Sequence, residues 1–164
     1  VGTEIERKYL VVAEDWRTGA KAIAIRQGYL CSEPSLVVRV RIYGDRAFLT
    51  IKSGGAAVAR LEFEYEVPLA DANVLLDTLC RRPLIEKTRY EVDFEGLLWV
   101  VDVFSGENTG LIVAEVELAS EDQVVAPPPW TGAEVTQEPR YLNAALSERP
   151  FSAWSPAERA AHER

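Results

Sequence analysis

The sequence predicts an α+β fold: an eight-stranded antiparallel β-barrel, a tunnel with a charged interior, covered on its outside by helices. Three observations lead there. Apolar and polar residues alternate with period two along most of the chain. Turn residues interrupt that alternation at short intervals. The polar faces of successive strands carry charge in place of the usual mixture of Thr, Ser, Gln and Lys.

The alternation predicts strands at Thr3–Val11, Ile23–Cys31, Leu36–Tyr43, Arg46–Lys52, Arg60–Val67, Leu84–Phe94, Leu97–Phe104 and Leu111–Leu118. Turns are expected at Glu33-Pro34-Ser35, Tyr43-Gly44-Asp45, Ser53-Gly54-Gly55, Glu95-Gly96 and Ser105-Gly106-Glu107. Between Asp71 and Cys80 the period changes. Val74, Leu75, Leu76 and Leu79 fit a helix there, with Asp71 as its N-cap. Beyond the Pro127-Pro128-Pro129-Trp130 loop a second helix is expected over Glu138–Leu146. A third is expected over Ser155–Ala161, where Pro156 follows a Ser cap. With no repeat, long linker or low-complexity block, the chain reads as one domain over residues 1–164, of which 146–164 form a C-terminal tail.

Composition narrows the function. The chain has 164 residues, 48% of them hydrophobic, and a net charge of −8. A chain of this size buries roughly 70% of its unfolded surface, so it needs no disulfide or metal staple to fold. The acidic balance argues against a bulk nucleic-acid or anionic-membrane binder. No apolar run approaches the ~20 residues that span a bilayer, and no signal-peptide pattern opens the chain. A soluble, cytoplasmic protein is expected. Cys31 and Cys80 sit in no metal-binding spacing and read as reduced, partly buried thiols. His162 is the lone histidine, which leaves no His-based triad or His-rich metal site. With no methionine in the chain, Val1 is expected to be a processed, truncated or alternative start. No motif specifies an oligomeric state.

The charged faces carry the functional signal. Glu4, Glu6 and Lys8 share one face of the first strand, and Arg39 with Arg41 one face of the third. Lys52 closes the next. Glu62 and Glu64 then alternate with Leu61, Phe63 and Tyr65. Lys87 and Arg89 share a face, Asp102 opposes Val101 and Val103, and Glu115 with Glu117 alternates with Ala114, Val116 and Leu118. One such face is ordinarily just solvated. Repeated like-charge neighbours at i, i+2 repel, and a sequence that repeats this on strand after strand holds the conflict for a ligand. About eight antiparallel strands close a narrow barrel. With apolar faces turned out to the helices, the charges meet inside. The basic groups suit a chain of phosphates. The carboxylates suit hard divalent cations, which also bind phosphate oxygens. Arg60 and Glu66 share a charged face too and are expected at solvated rims, while Arg7 and Glu86 point outward. The four tryptophans are expected in the core or a lid.

These residues resemble a known family. Glu4-Ile5-Glu6-Arg7-Lys8 matches the ExExK signature of the CYTH superfamily, the triphosphate tunnel metalloenzymes. The likeness continues in order through Gln27-Gly28-Tyr29, Val38-Arg39-Val40-Arg41, Thr50-Ile51-Lys52, Glu62-Phe63-Glu64, Glu86-Lys87-Thr88-Arg89-Tyr90, Asp102-Val103-Phe104 and Ala114-Glu115-Val116-Glu117. Trp130–Thr136 and Arg140-Tyr141-Leu142-Asn143 resemble the family's C-terminal segment. The resemblance implies an eight-stranded tunnel that binds a triphosphate and requires Mg²⁺ or Mn²⁺. Carried over by position, Lys8, Arg39, Arg41, Lys52, Lys87 and Arg89 would hold phosphates. Glu4, Glu6, Glu62, Glu64, Asp102, Glu115 and Glu117 would hold metal or orient water, with Glu4 or Glu6 orienting the attacking water. Tyr29 is either a packing residue or, with Lys87, an acid/base dyad. The Glu138–Leu146 helix would plug or flank one tunnel mouth.

The short chain and close motif spacing look most like the short bacterial inorganic triphosphatases, which split tripolyphosphate into pyrophosphate and phosphate. Class IV adenylate cyclases and thiamine or nucleoside triphosphatases share the scaffold and stay open as alternatives. So does a non-catalytic polyphosphate- or nucleotide-binding module. A structural domain with a merely solvated charged sheet ranks last.

Overall fold

A computed structural model describes residues 2–53 and 59–162. The predicted turn residues Gly54 and Gly55 lie outside the described residues. Strands β1 (Gly2–Val11), β2 (Lys21–Glu33), β3 (Leu36–Tyr43), β4 (Arg46–Ser53) and β5 (Ala59–Val67) precede helix α1 (Leu69–Thr78). Strands β6 (Ile85–Phe94), β7 (Leu97–Phe104), β8 (Ile112–Glu117) and β9 (Thr131–Glu134) follow, then helices α2 (Asn143–Glu148) and α3 (Pro156–His162).

Eight strands close in the order β5-β4-β3-β2-β6-β7-β8-β1, all antiparallel, with β1 returning to pair with β5 through Thr3↔Leu61. The closure removes sheet edges that would otherwise invite aggregation. β1 divides its edges: residues 2–5 pair with β5, residues 6–10 with β8, and Tyr9 and Val11 with the short β9. β9 was not among the expected strands; it has four residues, including Gly132, too few to show alternation.

Two of the three buried apolar clusters lie on the outer face of the barrel wall. Trp16, Trp99, Val101, Val116 and Trp130 form one buried cluster on the outer face of β1, β7 and β8. Trp16 and Trp99 are fully buried, as the tryptophan reading expected. On another face Ala72 and Leu76 of α1 cover Val40 and Ala47. Gly28 lets this layer approach: a Cβ there would stand 2.8 Å from Cys80 Cβ and 2.7 Å from a Leu84 methyl. At one end of the barrel the inward rows turn apolar. Tyr29, Val37, Ile85, Phe104 and Val113 pack there with Tyr141, Leu146, Phe151 and Trp154. The residues beyond 146, expected as a tail, thus contribute Phe151 and Trp154 to this cluster. No described helix is long and apolar enough to cross a membrane. Both cysteines are free thiols.

Two helix expectations are corrected. α1 starts at Leu69, with Pro68 as N-cap and no side-chain cap bond; Asp71 lies in its first turn. The helix expected over Glu138–Leu146 is split. Pro139–Tyr141 forms a 3₁₀ turn, Leu142 is extended at φ −64° and ψ 138°, and α2 begins only at Asn143. Pro139 opens the first segment, where a proline is well tolerated, and the extended backbone of Leu142 ends it, so one continuous helix does not form. The third helix begins at Pro156 as read, with Ser155 Oγ accepting from the Glu158 amide at 3.3 Å.

Candidate active site

Alternation aims the charged rows into the barrel, and register decides who meets whom. Lys8 stands opposite Glu115, Lys52 opposite Glu62, and Arg89 opposite Asp102. The like-charge conflict on each strand is thus partly answered across the strand gap. Lys8 Nζ lies 3.4 Å from Glu115 Oε1. Lys52 Nζ lies 2.6 Å from Glu4 Oε2 and 3.2 Å from Glu62 Oε2. Arg60 enters as well, with Nη2 at 3.2 Å from Glu6 Oε1 and 3.5 Å from Glu4 Oε2. This corrects the rim expected for Arg60, because the Glu4↔Arg60 register at the barrel's closure carries its side chain inward. Glu66 does sit at an exposed rim, paired with Arg46 at 2.6 Å.

The interior opens into a cavity of about 470 Å³. Of the expected residues, Glu4, Glu6, Glu115 and Glu117 line it on the acidic side. Lys8, Arg39, Arg41, Lys52 and Arg89 line it on the basic side, with Tyr29 beside them. Glu62, Glu64, Lys87 and Asp102 are not part of this lining. Glu64 Oε2 accepts from Thr50 Oγ1 at 3.0 Å and lies 3.5 Å from Arg39. Lys87 and Asp102 are buried on the inward rows beneath the lining, with side chains 0% and 1% exposed and a 2.7 Å bond between them. Asp102 also receives Arg89 at 2.8 and 2.9 Å, so both its oxygens are engaged by cations. Burial acts to raise the Asp102 carboxyl, yet Arg89 and Lys87 outweigh it and hold it far below the usual carboxylate range. Burial, helped by Arg89 and Arg41, pushes Lys87 down to about 7 against the pull of Asp102.

Tyr29 and Lys87 do not bond to each other among the described residues. The Tyr29 hydroxyl accepts from Gln27 Nε2 at 3.0 Å, and Gln27 Oε1 accepts from Arg41 Nε at 2.8 Å. Burial raises the Tyr29 phenol above its ordinary range.

The cationic wall is short of anions. Among the described residues no carboxylate pairs with Arg41, and burial together with Arg39 and Arg89 pushes its guanidinium down to about 9. Arg39 Nε is sealed from solvent without a hydrogen-bond partner. A buried charged donor left unpaired is costly, so this wall carries more positive charge than the fold itself satisfies.

The acidic wall has the opposite imbalance. Burial, then Glu115 and Glu4, push Glu6 up to about 7 despite Lys8, Lys52 and the Arg60 contact. Burial with Glu4 and Glu62 raises Glu117. Burial acts to raise Glu115, but Lys8 leads the interactions that take it down to about 2. Because the folded state holds the Glu6 proton longer than the unfolded chain, this group costs stability as pH rises from 4.5 through about 7. In metal-free protein, Glu6→Gln is therefore expected to be more stable than wild type at pH 8 by about 3 kcal/mol, with the gap vanishing toward pH 4. Denaturant unfolding at the two pH values checks this; equal stability at pH 8 would show that Glu6 is already satisfied.

The hard oxygen donors of Glu4, Glu6, Glu115 and Glu117 fit a divalent cation, which would remove the repulsion that raises Glu6. Among the described residues no three carboxylates already converge for coordination, and Lys8, Lys52 and Arg60 fill the gaps between them.

Several contributors escaped the sequence reading. Thr136 Oγ1 accepts from the Lys8 amide at 3.0 Å, and the Tyr141 carbonyl accepts from Lys8 Nζ at 3.0 Å. Asn143 Oδ1 accepts from Lys87 Nζ at 3.0 Å. The signal for all three was the pair of C-terminal segments Trp130–Thr136 and Arg140–Asn143. The expectation that this region flanks the tunnel is met: Leu142, Asn143, Ala144 and Glu148 line the cavity.

Comparison with known proteins agrees with this geometry. A family model described as the CYTH domain matches residues 2–149. An inorganic triphosphatase of Acetivibrio thermocellus is 46% identical over 151 residues, covering 92% of this chain and 97% of that protein. An inorganic triphosphatase of Nitrosomonas europaea is 41% identical over 150 residues, covering 88% and 97%. The crystal structure of the inorganic triphosphatase NE1496 superposes with a TM-score of 0.66 at 39% identity, covering 90% of this chain and 95% of that one.

Proposed function

Starting from the chain's membership of the CYTH domain family, we propose that it hydrolyses inorganic tripolyphosphate to pyrophosphate and phosphate with a divalent cation, Mg²⁺ or Mn²⁺. The observation that carries this reading is the divided cavity. One wall holds the lining cations Arg39 and Arg41, of which Arg41 has no carboxylate among the described residues, and the facing wall holds carboxylates that repel one another. A metal–polyphosphate complex supplies both missing partners.

In this reading Lys8, Arg39, Arg41, Lys52 and Arg89 hold the phosphate oxygens and neutralise their charge. Catalysis is then largely positioning and electrostatics. Glu4, Glu6, Glu115 and Glu117 would hold the cation, with Glu62 and Glu64 completing the acidic wall by fixing Lys52 and Arg39. Bound there, the cation supplies charge neutralisation at the phosphate oxygens and a more acidic water. Glu6, with Glu4 beside it on the same strand face, would orient the attacking water and accept its proton. The water oxygen bonds to a terminal phosphorus, the bridging P–O bond breaks, and the electron pair leaves with pyrophosphate. Lys87 and Asp102 act from beneath the lining, setting the position of Arg89. Tyr29, through Gln27, sets that of Arg41. The reading keeps the cytoplasm as the enzyme's location and a small triphosphate as its partner.

Chelator-stripped protein is expected to release phosphate from tripolyphosphate only after Mg²⁺ or Mn²⁺ is added, with ATP, thiamine triphosphate and pyrophosphate turned over far more slowly. Phosphate assays run side by side check this. Cyclic AMP from ATP would replace the reading with a cyclase, and metal-dependent binding without any product would replace it with a binding module.

A further inference from the structure

Asn143 opens α2 where that helix meets the cavity, half-buried and on the lining. Its Oδ1 accepts from Lys87 Nζ at 3.0 Å. An ammonium group has donors and no acceptor, so chemistry decides which way this amide is turned. The oxygen faces Lys87 and the NH₂ faces away from it. Among the described residues nothing accepts from Nδ2. Nor is it sealed: the buried side-chain atoms left without partners are Arg39 Nε, Trp99 Nε1 and Asn108 Nδ2. Nδ2 is therefore an accessible donor on a residue that lines the cavity. Lys87 is fully buried and held at 2.7 Å by Asp102, so it does not occupy the space the amide faces. Two residues earlier the Tyr141 carbonyl holds Lys8 Nζ. One short connection thus reaches the basic side from two walls, β1 and β6.

We infer that Asn143 is a phosphate-binding residue: Nδ2 donates to a non-bridging oxygen of the bound triphosphate while Oδ1 holds Lys87 in place behind it. The inference rests on the triphosphatase reading for its ligand and adds a neutral, two-sided group to a site otherwise built from charges. It also links α2 to the buried Lys87–Asp102–Arg89 set, so the helix and the cations share one anchor.

A purely structural Asn143 makes a different prediction from a ligand-binding one. Asn143→Asp keeps an acceptor for Lys87 and gives it a full negative charge, but removes both N–H donors. A structural role alone lets Asn143→Ala lose affinity only as far as it loses stability, whereas Asn143→Asp repels a polyanion by its charge in either case. A binding role separates the two losses in Asn143→Ala. Tripolyphosphate affinity, measured by calorimetry in chelator, is expected to fall about 10-fold in Asn143→Ala and about 100-fold in Asn143→Asp. Thermal unfolding without ligand is expected to leave Asp at least as stable as Ala. Asn143→Ala binding within twofold of wild type overturns the inference, and so does a wild-type chain that binds no tripolyphosphate. The triphosphatase reading fails separately. A wild-type chain that binds tripolyphosphate in the predicted rank order, yet releases no phosphate with Mg²⁺ or Mn²⁺, sinks that reading and supports the binding role of Asn143.

Discussion

Arg39→Ala is expected to lower tripolyphosphate turnover by about 10³-fold while moving the thermal midpoint by only a few degrees. Arg39 is buried, its Nη2 donates to Thr50 Oγ1 at 3.1 Å, and its Nε has no partner at all. Truncation therefore removes a cation that the folded protein does not fully satisfy, and it relieves the repulsion on Arg41 that helps push that group down to about 9. Little stability is lost because little was gained. Activity suffers because the phosphate loses a fixed charge in a site with low access to water. Steady-state kinetics and thermal unfolding on the same preparation check both halves. Turnover within tenfold of wild type would mean that Arg39 does not touch the substrate.

Asp102→Asn should do the reverse, with a primary loss of stability of about 3–5 kcal/mol, or roughly 10 °C in midpoint. The carboxylate is 1% exposed and holds two cations, Lys87 at 2.7 Å and Arg89 at 2.8 Å. An amide leaves both buried charges without a counter-ion. The sign with pH follows from the depressed carboxyl: its contribution is complete above the unfolded value of about 3.9 and is lost as pH falls through the lower folded value. Wild type and variant should therefore differ at pH 7 and converge toward pH 2. This also separates two roles. If Asp102 served as a metal ligand, as the sequence alone suggested, metal-free variant and wild type would unfold alike. If it braces the cations, the metal-free variant is the weaker one.

Most of the barrel was legible because a strand half facing a core and half facing a tunnel must alternate. Leu36–Tyr43 and Leu97–Phe104 match their strands end to end. The inward rows followed from the same parity, so the acidic and basic walls could be named before any register was known. What parity does not carry is closure. Arg60 looked like a rim residue until β1 and β5 paired, which put it against Glu4 and Glu6. Nor does parity separate a charge on the lining from one buried beneath it, which is why Lys87 read as a phosphate-binding residue and Asp102 as a metal ligand. Asn143 and Thr136 come from segments after β8, where no period links a residue to its position in space. The Glu138–Leu146 helix is divided at Leu142, which is extended although no breaker residue stands there, so nothing local announced the break.

The placement of two apolar clusters outside the strands has a consequence for how such a protein can change. In most small barrels the lining is also the core, and altering what the interior holds risks the fold. Here Trp99, Val101 and Val116 sit on the outward parity and secure the wall, while the inward parity is free of that duty along most of its length. Mutation can therefore explore the charged part of the lumen with little structural penalty, save at the Lys87–Asp102–Arg89 junction and at the apolar end where Tyr29, Val37, Ile85, Phe104 and Val113 pack. A lineage built this way can exchange one polyanion for another by rewriting alternate residues, while the intervening ones keep the same scaffold standing.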